Sequence, residues 1–291
     1  MPELPEVETI ARTLAPQVEG RVVTRCRLHN PSTLQGLLPL EAVTGLRIGT
    51  PGRRGKLLLV PLVPATVQGL GTCAPIFAGG AKTSIADQVI GLGFHLKMTG
   101  RVFVHPAGTP PGAHTRLTLD LDDKTCLFFD DARKFGYVRV LSPSTLADWP
   151  FWNKLGPEPL DMSPEDFVAC FANRRGAIKA LLLNQQVLAG CGNIYADESL
   201  FRAGIRPDAP ALTSVRLVRL HKALREVLLE SIAACGSSIR DYRTARGDAG
   251  AFQNSFRVYG RASQPCLVCH TTLETTRIAS RTTVFCPRCQ Q

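Results

Sequence analysis

After Pro5 the apolar positions Val7, Ile10, Ala11 and Leu14 recur at i, i+3, i+4 and i+7, which predicts one amphipathic helix stopped near Pro16. From there to about Leu141 the period falls to two. Arg21 to Leu28 alternates, and Thr115 to Leu121 does so strictly, with Leu117, Leu119 and Leu121 on one face and Arg116, Thr118 and Asp120 on the other. Further strands fit Lys56 to Val63, Phe94 to Met98, Cys126 to Phe129 and Tyr137 to Leu141. Many short strands with Gly and Pro turns imply an antiparallel sandwich or barrel. The stretch from Pro64 to Asp87, rich in Gly, Ala, Thr and Pro, reads as a long loop or inserted hairpin.

Prolines between Trp149 and Leu160 mark a linker, after which the period becomes helical. Ser163-Pro164-Glu165-Asp166 supplies an N-cap, a proline at the first helical position and acids in the first turn. Helices then fit Ala177 to Leu188, Ile194 to Ala203 and Val215 to Ala234, the last ended by Gly236. The expectation is an α+β chain with a β-rich half (1–150), a helical part (151–250) and a tail (251–291).

Composition narrows the function. The 291 residues are 44% hydrophobic and 20% charged, which describes a globular chain, and a formal charge of +10 favours a polyanionic partner or an anionic membrane surface. The apolar run from Leu57 to Val67 is cut by Pro61 and Pro64 and is shorter than the roughly 18 residues of a spanning helix. The N-terminus has neither a basic region nor an apolar one, so no secretion signal is read there and an intracellular protein is expected.

Cysteine spacing adds a metal. Six of the ten cysteines are scattered singly, whereas Cys266, Cys269, Cys286 and Cys289 form two Cys-x2-Cys pairs 16 residues apart. Each tight pair can fill two corners of a tetrahedron, so the pattern predicts one structural Zn²⁺; two disulfides would need an oxidising compartment. From Arg257 onward, five arginines (Arg257, Arg261, Arg277, Arg281 and Arg288) face one acid, Glu274, a formal +4 before the metal. A basic zinc ribbon reads as a phosphate-contacting hairpin, and arginine at every position favours bidentate contacts. Asp131-Ala-Arg-Lys-Phe-Gly136 sets two cations beside an aromatic in a loop, a combination suited to wedging into a nucleic-acid stack.

The first residues are themselves reactive. Methionine before proline is normally trimmed, leaving Pro2 with a free secondary amine. An α-amino group titrates near 7.7 to 8.0 against about 10.4 for lysine, so at neutral pH it is unprotonated about 300 times more often. Such an amine attacks an aldehyde-like carbon to give an iminium, and Glu3 beside it is placed to donate a proton.

Met1-Pro-Glu-Leu-Pro-Glu-Val-Glu-Thr9, Arg53-Arg-Gly-Lys56, His95-Leu-Lys-Met-Thr-Gly100, the hexapeptide ending at Gly136, Leu155-Gly-Pro-Glu-Pro-Leu160, Gly192-Asn-Ile-Tyr-Ala-Asp-Glu-Ser199, Val258-Tyr-Gly-Arg261 and the four-cysteine ribbon run in order over the whole chain. Together they resemble the bacterial formamidopyrimidine-DNA glycosylases. The resemblance implies a two-domain fold: an antiparallel β-sandwich with an N-terminal helix, then a helical domain with a helix-two-turn-helix and a zinc ribbon. It implies a monomeric cytoplasmic enzyme that acts on double-stranded DNA with oxidised bases or abasic sites, away from any membrane.

Residue by residue, the resemblance implies Pro2 as the nucleophile at C1′ and Glu3 as the acid assisting glycosidic cleavage, with Glu6 a supporting carboxylate. Lys56 is the hairpin lysine that holds phosphate and assists elimination, and Arg281 is the ribbon-tip arginine linked to δ-elimination. Met98, Arg133 and Phe135 fill the hole left by an everted base, because an empty stack costs a few kcal/mol. His95, His114, Arg174, Lys179, Asn193 and Tyr195 lie at or near DNA-backbone contacts. Residues 236–250 resemble the loop that closes over an everted 8-oxoguanine.

The sequence departs from the family pattern in the long Lys56 to His95 spacing, which holds the 64–87 stretch, in Leu57 for a usual tyrosine and in Ala132 for a usual proline. A retained Met1 would remove the Pro2 amine. Two rival readings are an endonuclease VIII-type glycosylase for oxidised pyrimidines and a catalytically silent zinc protein that binds abasic DNA.

Overall fold

The computed structural model describes residues 1–66, 89–210, 212–239 and 241–291, so the greater part of the expected 64–87 insertion lies outside the described residues. The chain forms two compact units. The first comprises Met1–Pro2, Glu6–Asn153 and Ser238–Gly250; the second comprises Glu3–Pro5, Lys154–Ser237 and Ala251–Gln291. No helix among the described residues is long and apolar enough to cross a membrane.

In the first unit helix α1 spans Leu4–Val18, two residues beyond the expected stop. Pro16 sits in the last turn, where it removes only its own hydrogen bond to the carbonyl four residues back, and Gln17 Nε2 donates to Thr13 O at 2.7 Å. Among the described residues the strands that follow are β1 (Val23–Leu28), β2 (Leu46–Ile48), β3 (Gly52–Arg54), β4 (Leu57–Pro64), β5 (Gly91–His95), β6 (Gly100–Pro106), β7 (Thr115–Leu121), β8 (Thr125–Asp131) and β9 (Tyr137–Leu141). They build a four-stranded sheet in the order β1-β7-β8-β6, and a second sheet in the order β2-β4-β5-β9 with β3 against β4. All pairings between these strands are antiparallel. Of the sandwich and the barrel left open by the strand pattern, the sandwich forms.

One core lies between the sheets and under α1. Leu117, Leu119 and Leu121 enter it from one sheet, Leu58, Val60 and Leu62 from the other, and Val7, Ile10, Ala11 and Leu14 from α1. Phe94 and Phe129 meet edge to face across it, with centroids 5.6 Å apart. Strand β4 reads as an unbroken apolar run because both its faces are covered. Leu57 and Leu59 pack on the outer face with Tyr137, Leu141, Leu146 and Trp149. Those covering residues come from β9, from the short helix α2 (Pro143–Ala147) and from Trp149, which precedes α3 (Pro150–Asn153).

The strand expected at Phe94 to Met98 lies earlier. It ends at His95, because Lys97 takes φ 51° and turns the chain while its N–H donates to His95 Nδ1 at 3.2 Å.

The second unit contains helices α4 (Pro164–Phe171), α5 (Ile178–Leu183), α6 (Asn193–Arg202) and α7 (Ser214–Ala233) around their own core. Ser163 caps α4 as expected, accepting from Asp166 N. Helix α5 is five residues shorter at its end than the expected 177–188 span. Asn184 leaves the helical region, and its Oδ1 accepts Gln186 N at 3.0 Å, an Asx turn that competes with the helix. Residues 238–250 pack with the sandwich unit, whereas the sequence reading grouped them with the helices. Tyr242 and Ala245 find their apolar neighbours in the sandwich core, and Ala245 N donates to Thr13 Oγ1 at 3.1 Å.

Candidate active site and nucleic-acid interface

The amino-terminal residues are held rather than frayed. Pro2 is buried and Glu3 is 4% exposed. Within the second unit Leu4 N donates to Gly190 O at 3.1 Å, and Ile194 N, in the first turn of α6, donates to Glu3 Oε1 at 3.3 Å. An anionic group at a helix N-terminus meets the positive end of the helix dipole and its unpaired N–H groups. Gly192, the N-cap, makes this approach possible: a Cβ there would lie 2.2 Å from Glu3 Cδ. Glu6 is buried in α1, and its carbonyl accepts from Tyr242 Oη at 3.4 Å.

In the first unit two tight loops carry the predicted cations. Gly55, at φ 56°, and Lys56 form the two-residue turn between β3 and β4, which puts Lys56 at a hairpin tip with 8% exposure. Leu57, in place of the family's usual tyrosine, is buried in the outer-face cluster. His95 follows in the neighbouring strand, paired with Leu57 and packed against Tyr137 and Phe151. Burial, and then the charges of Lys97 and Lys56, push its ring down to about 3. The ring is therefore neutral at physiological pH. Because the Lys97 N–H occupies Nδ1, the remaining hydrogen sits on Nε2, so His95 acts as a neutral N–H donor.

The three residues expected to form a wedge lie on two loops tied together by one acid. Asp131, fully buried, accepts Gly136 N on Oδ2 at 2.7 Å, while its Oδ1 accepts from Thr99 Oγ1 and from Arg133 N. Arg133 N also donates to Thr99 Oγ1 at 3.1 Å, so one carboxylate stitches the 96–100 turn to the 131–136 loop. Met98, Arg133 and Phe135 are left exposed on these two loops, Phe135 to 55%, with the Arg133 guanidinium 4.9 Å from the Phe135 ring centre. Asp131 was visible in the sequence only as the start of a loop. An acid ending a strand ahead of a short Gly-terminated loop is the signal that could have marked it. His114 is exposed nearby in the chain, and its carbonyl accepts Asp131 N.

The second unit carries the remaining residues. Four Sγ atoms, of Cys266, Cys269, Cys286 and Cys289, lie within 4.8 Å of one another. Bonds of about 2.3 Å from each sulfur to a central ion require tetrahedral edges of about 3.8 Å, and the Cys266–Cys289 and Cys269–Cys286 separations are 3.9 and 3.4 Å. Backbone N–H groups of Val268 and Cys289 point at Cys266 Sγ and Cys286 Sγ, the polarity thiolates need. The cluster is a structural zinc site. Its hairpin, β10 (Glu274–Ile278) and β11 (Arg281–Phe285), turns through Ala279 and Ser280, both at positive φ, and presents Arg281 exposed beside the tip. Arg257, Arg277 and Arg288 are also exposed, whereas Arg261 closes the approach to the ribbon by donating to Arg257 O and Pro265 O.

Lys179 does not reach solvent. Its side chain is 0% exposed and ion-paired at 2.6 Å to Asp197, itself buried. Its Nζ also donates to Thr283 Oγ1 at 2.8 Å and Thr282 O at 3.3 Å, while Val284 N donates to Asp197 Oδ2. Burial drives the Asp197 carboxyl upward and the Lys179 amine downward, and each opposes the other's shift through the ion pair. Asn193 Nδ2 donates to the same Thr282 carbonyl at 3.1 Å. Lys179 and Asn193 thus fix strand β11, close to Arg281. Tyr195 is fully buried, its hydroxyl paired with Ser231 and Ser237 Oγ. Arg174 is exposed and donates to Cys170 O.

A β-sandwich headed by a helix, a helical unit with an anion at a helix N-terminus and a four-cysteine hairpin rich in arginine define a zinc-ribbon protein built for a polyanion. Three family descriptions match in order: the formamidopyrimidine-DNA glycosylase N-terminal domain over residues 1–138, its H2TH domain over 155–243, and a zinc finger found in FPG and IleRS over 263–291. The chain belongs to the formamidopyrimidine-DNA glycosylase family. It is 52% identical to a formamidopyrimidine-DNA glycosylase of Nitratidesulfovibrio vulgaris, with both chains covered in full. Among solved structures it is similar to a Lactococcus lactis FPG mutant in complex with a Fapy-dG containing DNA (TM-score 0.83, 30% identity, both chains covered in full). It is also similar to MutM in complex with carbocyclic 8-oxo-G containing DNA (TM-score 0.82, 30% identity, both chains covered in full).

Three outcomes follow from this geometry. A His95 ring titrating near 3 in the folded state and near 6.5 unfolded contributes stability that is complete above about pH 6.5 and is lost as pH falls toward 3. NMR should show the ring neutral from pH 7 to 5, and a midpoint near 6.5 would contradict the assignment. Lys179→Met leaves a buried carboxylate unpaired and should cost about 3 to 5 kcal/mol in urea unfolding, with Lys179→Met/Asp197→Leu recovering part of it; a loss under about 1 kcal/mol refutes the buried pair. Zinc removal should speed trypsin cleavage after Arg277 and Arg281, whose side chains are exposed already but whose backbone is held in the hairpin, because the four-cysteine hairpin loses its fold without the ion; unchanged cleavage would show that the hairpin stands alone.

Proposed function

We propose that the protein excises oxidised purines, 8-oxoguanine and formamidopyrimidines, from double-stranded DNA and then cleaves the strand by β,δ-elimination, acting as a cytoplasmic monomer. The observation that carries the mechanism is the Glu3 carboxylate, fixed at the first turn of α6 one residue from the nitrogen that methionine removal exposes. The relatives solved with Fapy-dG and 8-oxo-G DNA support the choice of lesion.

The Pro2 nitrogen attacks C1′ as the C1′–N9 bond breaks, and the Glu3 carboxylate takes the proton that the new Pro2 ammonium sheds and delivers it to the departing purine. Opening of the sugar, in which O4′ takes up a proton from solvent as the C1′–O4′ bond breaks, leaves an iminium between Pro2 and C1′. This cation acidifies C2′, so loss of a C2′ proton expels the 3′ phosphate, and a second elimination expels the 5′ phosphate. Lys56, His95, His114, Arg174 and Asn193 grip backbone phosphates, His95 through its neutral Nε2–H. Arg281 holds phosphate at the ribbon tip and assists the second elimination. Lys179 and Tyr195 act from behind by fixing β11 and α6. Met98, Arg133 and Phe135 fill the vacated stack, with Arg133 toward the orphaned cytosine.

Glu3→Gln should lower 8-oxoguanine release by about 100-fold or more, the scale of losing a general acid, while retaining cleavage of a preformed abasic site. Wild-type enzyme that releases no 8-oxoguanine, or turns over thymine glycol duplexes faster, would overturn the proposal in favour of a pyrimidine enzyme. Tight binding to abasic DNA without scission, after complete methionine removal, would indicate a silent binder.

A further inference from the structure

The turn after β5 carries a lysine where the backbone does not favour one. Lys97 has φ 51°, a left-handed conformation that glycine and asparagine adopt more readily. Its N–H holds His95 Nδ1, and its Nζ lies 5.6 Å from the centre of the Tyr137 ring, against which the His95 imidazole packs with centroids 5.3 Å apart. Strand register brings Lys56 to the same corner of the second sheet. The residue after it, Leu57, is paired with His95, and His95 with Tyr137.

This corner gathers donors without an acid. Lys56 is 8% exposed and His95 6%, so the Lys56 stem is covered, while Lys97 is half-buried. After burial, the charges of Lys97 and Lys56 act together to keep the His95 ring neutral. Among the described residues neither ammonium has a hydrogen-bond acceptor or a carboxylate partner. Other cations of this unit are matched by acids: Arg53 pairs with Glu8 at 2.8 Å, and Arg21 with Asp123 at 3.0 Å. Like charges in a partly buried setting are poorly screened, and an anion brought beside them removes the repulsion. The π face of Tyr137 steadies the Lys97 ammonium without engaging a lone pair, which leaves its three N–H groups to an incoming oxygen. A phosphodiester, compact and singly charged, is the anion that a lysine takes as a point charge.

We propose that Lys97 is a further DNA-phosphate ligand of the edge formed by Lys56 and His95, neutralising one backbone phosphate of its own. The inference rests on the reading of that edge as a phosphate grip.

The test is fluorescence anisotropy of the zinc-loaded full chain with a tetrahydrofuran abasic-site duplex between about 50 and 200 mM salt, the range over which phosphate contacts weaken measurably. Lys97→Gln should weaken binding and flatten the slope of log Kd against log salt by about 0.9, so that its deficit against the wild type shrinks about 3.5-fold across that range. Lys97→Arg, which keeps the charge, should retain the wild-type slope. Lys97→Gly suits the left-handed turn and keeps the N–H to His95; it should bind as weakly as Lys97→Gln with a urea midpoint close to that of the wild type. Lys56→Gln, measured alongside, reports on the edge itself. A flattened slope in Lys56→Gln with an unchanged one in Lys97→Gln, or wild-type affinity in Lys97→Gly, would overturn the proposal and assign Lys97 to the turn and the Tyr137 ring alone. An unchanged slope in Lys56→Gln would instead sink the reading of the edge as a phosphate grip.

Discussion

The structure depends on one constraint at the start of the chain: Glu3 must reach the amino end of α6. Its carboxylate accepts the Ile194 N–H, and Gly192 leaves no space for a side chain between them. Leu4 is held in the same way, its N–H on the Gly190 carbonyl and its side chain within 2.7 Å of where a Gly190 Cβ would stand. Chain ends ordinarily fray, because a few residues cannot bury enough surface to offset their lost entropy. Here a buried carboxylate, a helix dipole and two close glycine contacts act on consecutive residues.

A second buried carboxylate plays a comparable part for the ribbon. Asp197 and Lys179 lie inside the helical unit and hold β11 through Thr282, Thr283 and Val284. The adjacent Glu198 accepts the N–H groups of Arg257, Val258 and Tyr259, tying the approach to the ribbon to the same helix. Zinc fixes the hairpin internally, and two acids on α6 fix it to the helices. Helix α6 therefore anchors Glu3 at its first turn and the hairpin along its length. A third acid, Asp131, shapes the exposed loops that carry Met98, Arg133 and Phe135 in the sandwich unit. In all three places the carboxylate organises backbone around a site.

Much of this was legible in the residues. The strict alternation of Thr115 to Leu121 and the helical spacing from Val7 to Leu14 marked elements that the structure keeps, because one face of each meets the core. The cysteine spacing marked the zinc site, since tetrahedral geometry leaves few other uses for two Cys-x2-Cys pairs. Local competition was harder to read: Asn184 ended α5 by bonding its own backbone, and Lys97 ended β5 by turning onto His95. Burial was hardest of all. Lys179 carries the same formal charge as an exposed lysine, and only its neighbours Asp197 and Thr283, 18 and 104 positions away in sequence, place it inside.

The chemistry then turns on a single atom. Cations at a hairpin tip, a wedge and a zinc ribbon would equally suit a protein that only binds damaged DNA, and an uncharged amine at Pro2 is what would make this one cut it. The most direct measurement is mass spectrometry of the peptides obtained after borohydride trapping on an 8-oxoguanine duplex. The expected product is an amino-terminal peptide that lacks Met1 and carries the reduced sugar adduct on Pro2. An adduct on Lys56 or another lysine, or no adduct from a fully methionine-trimmed protein, would contradict it.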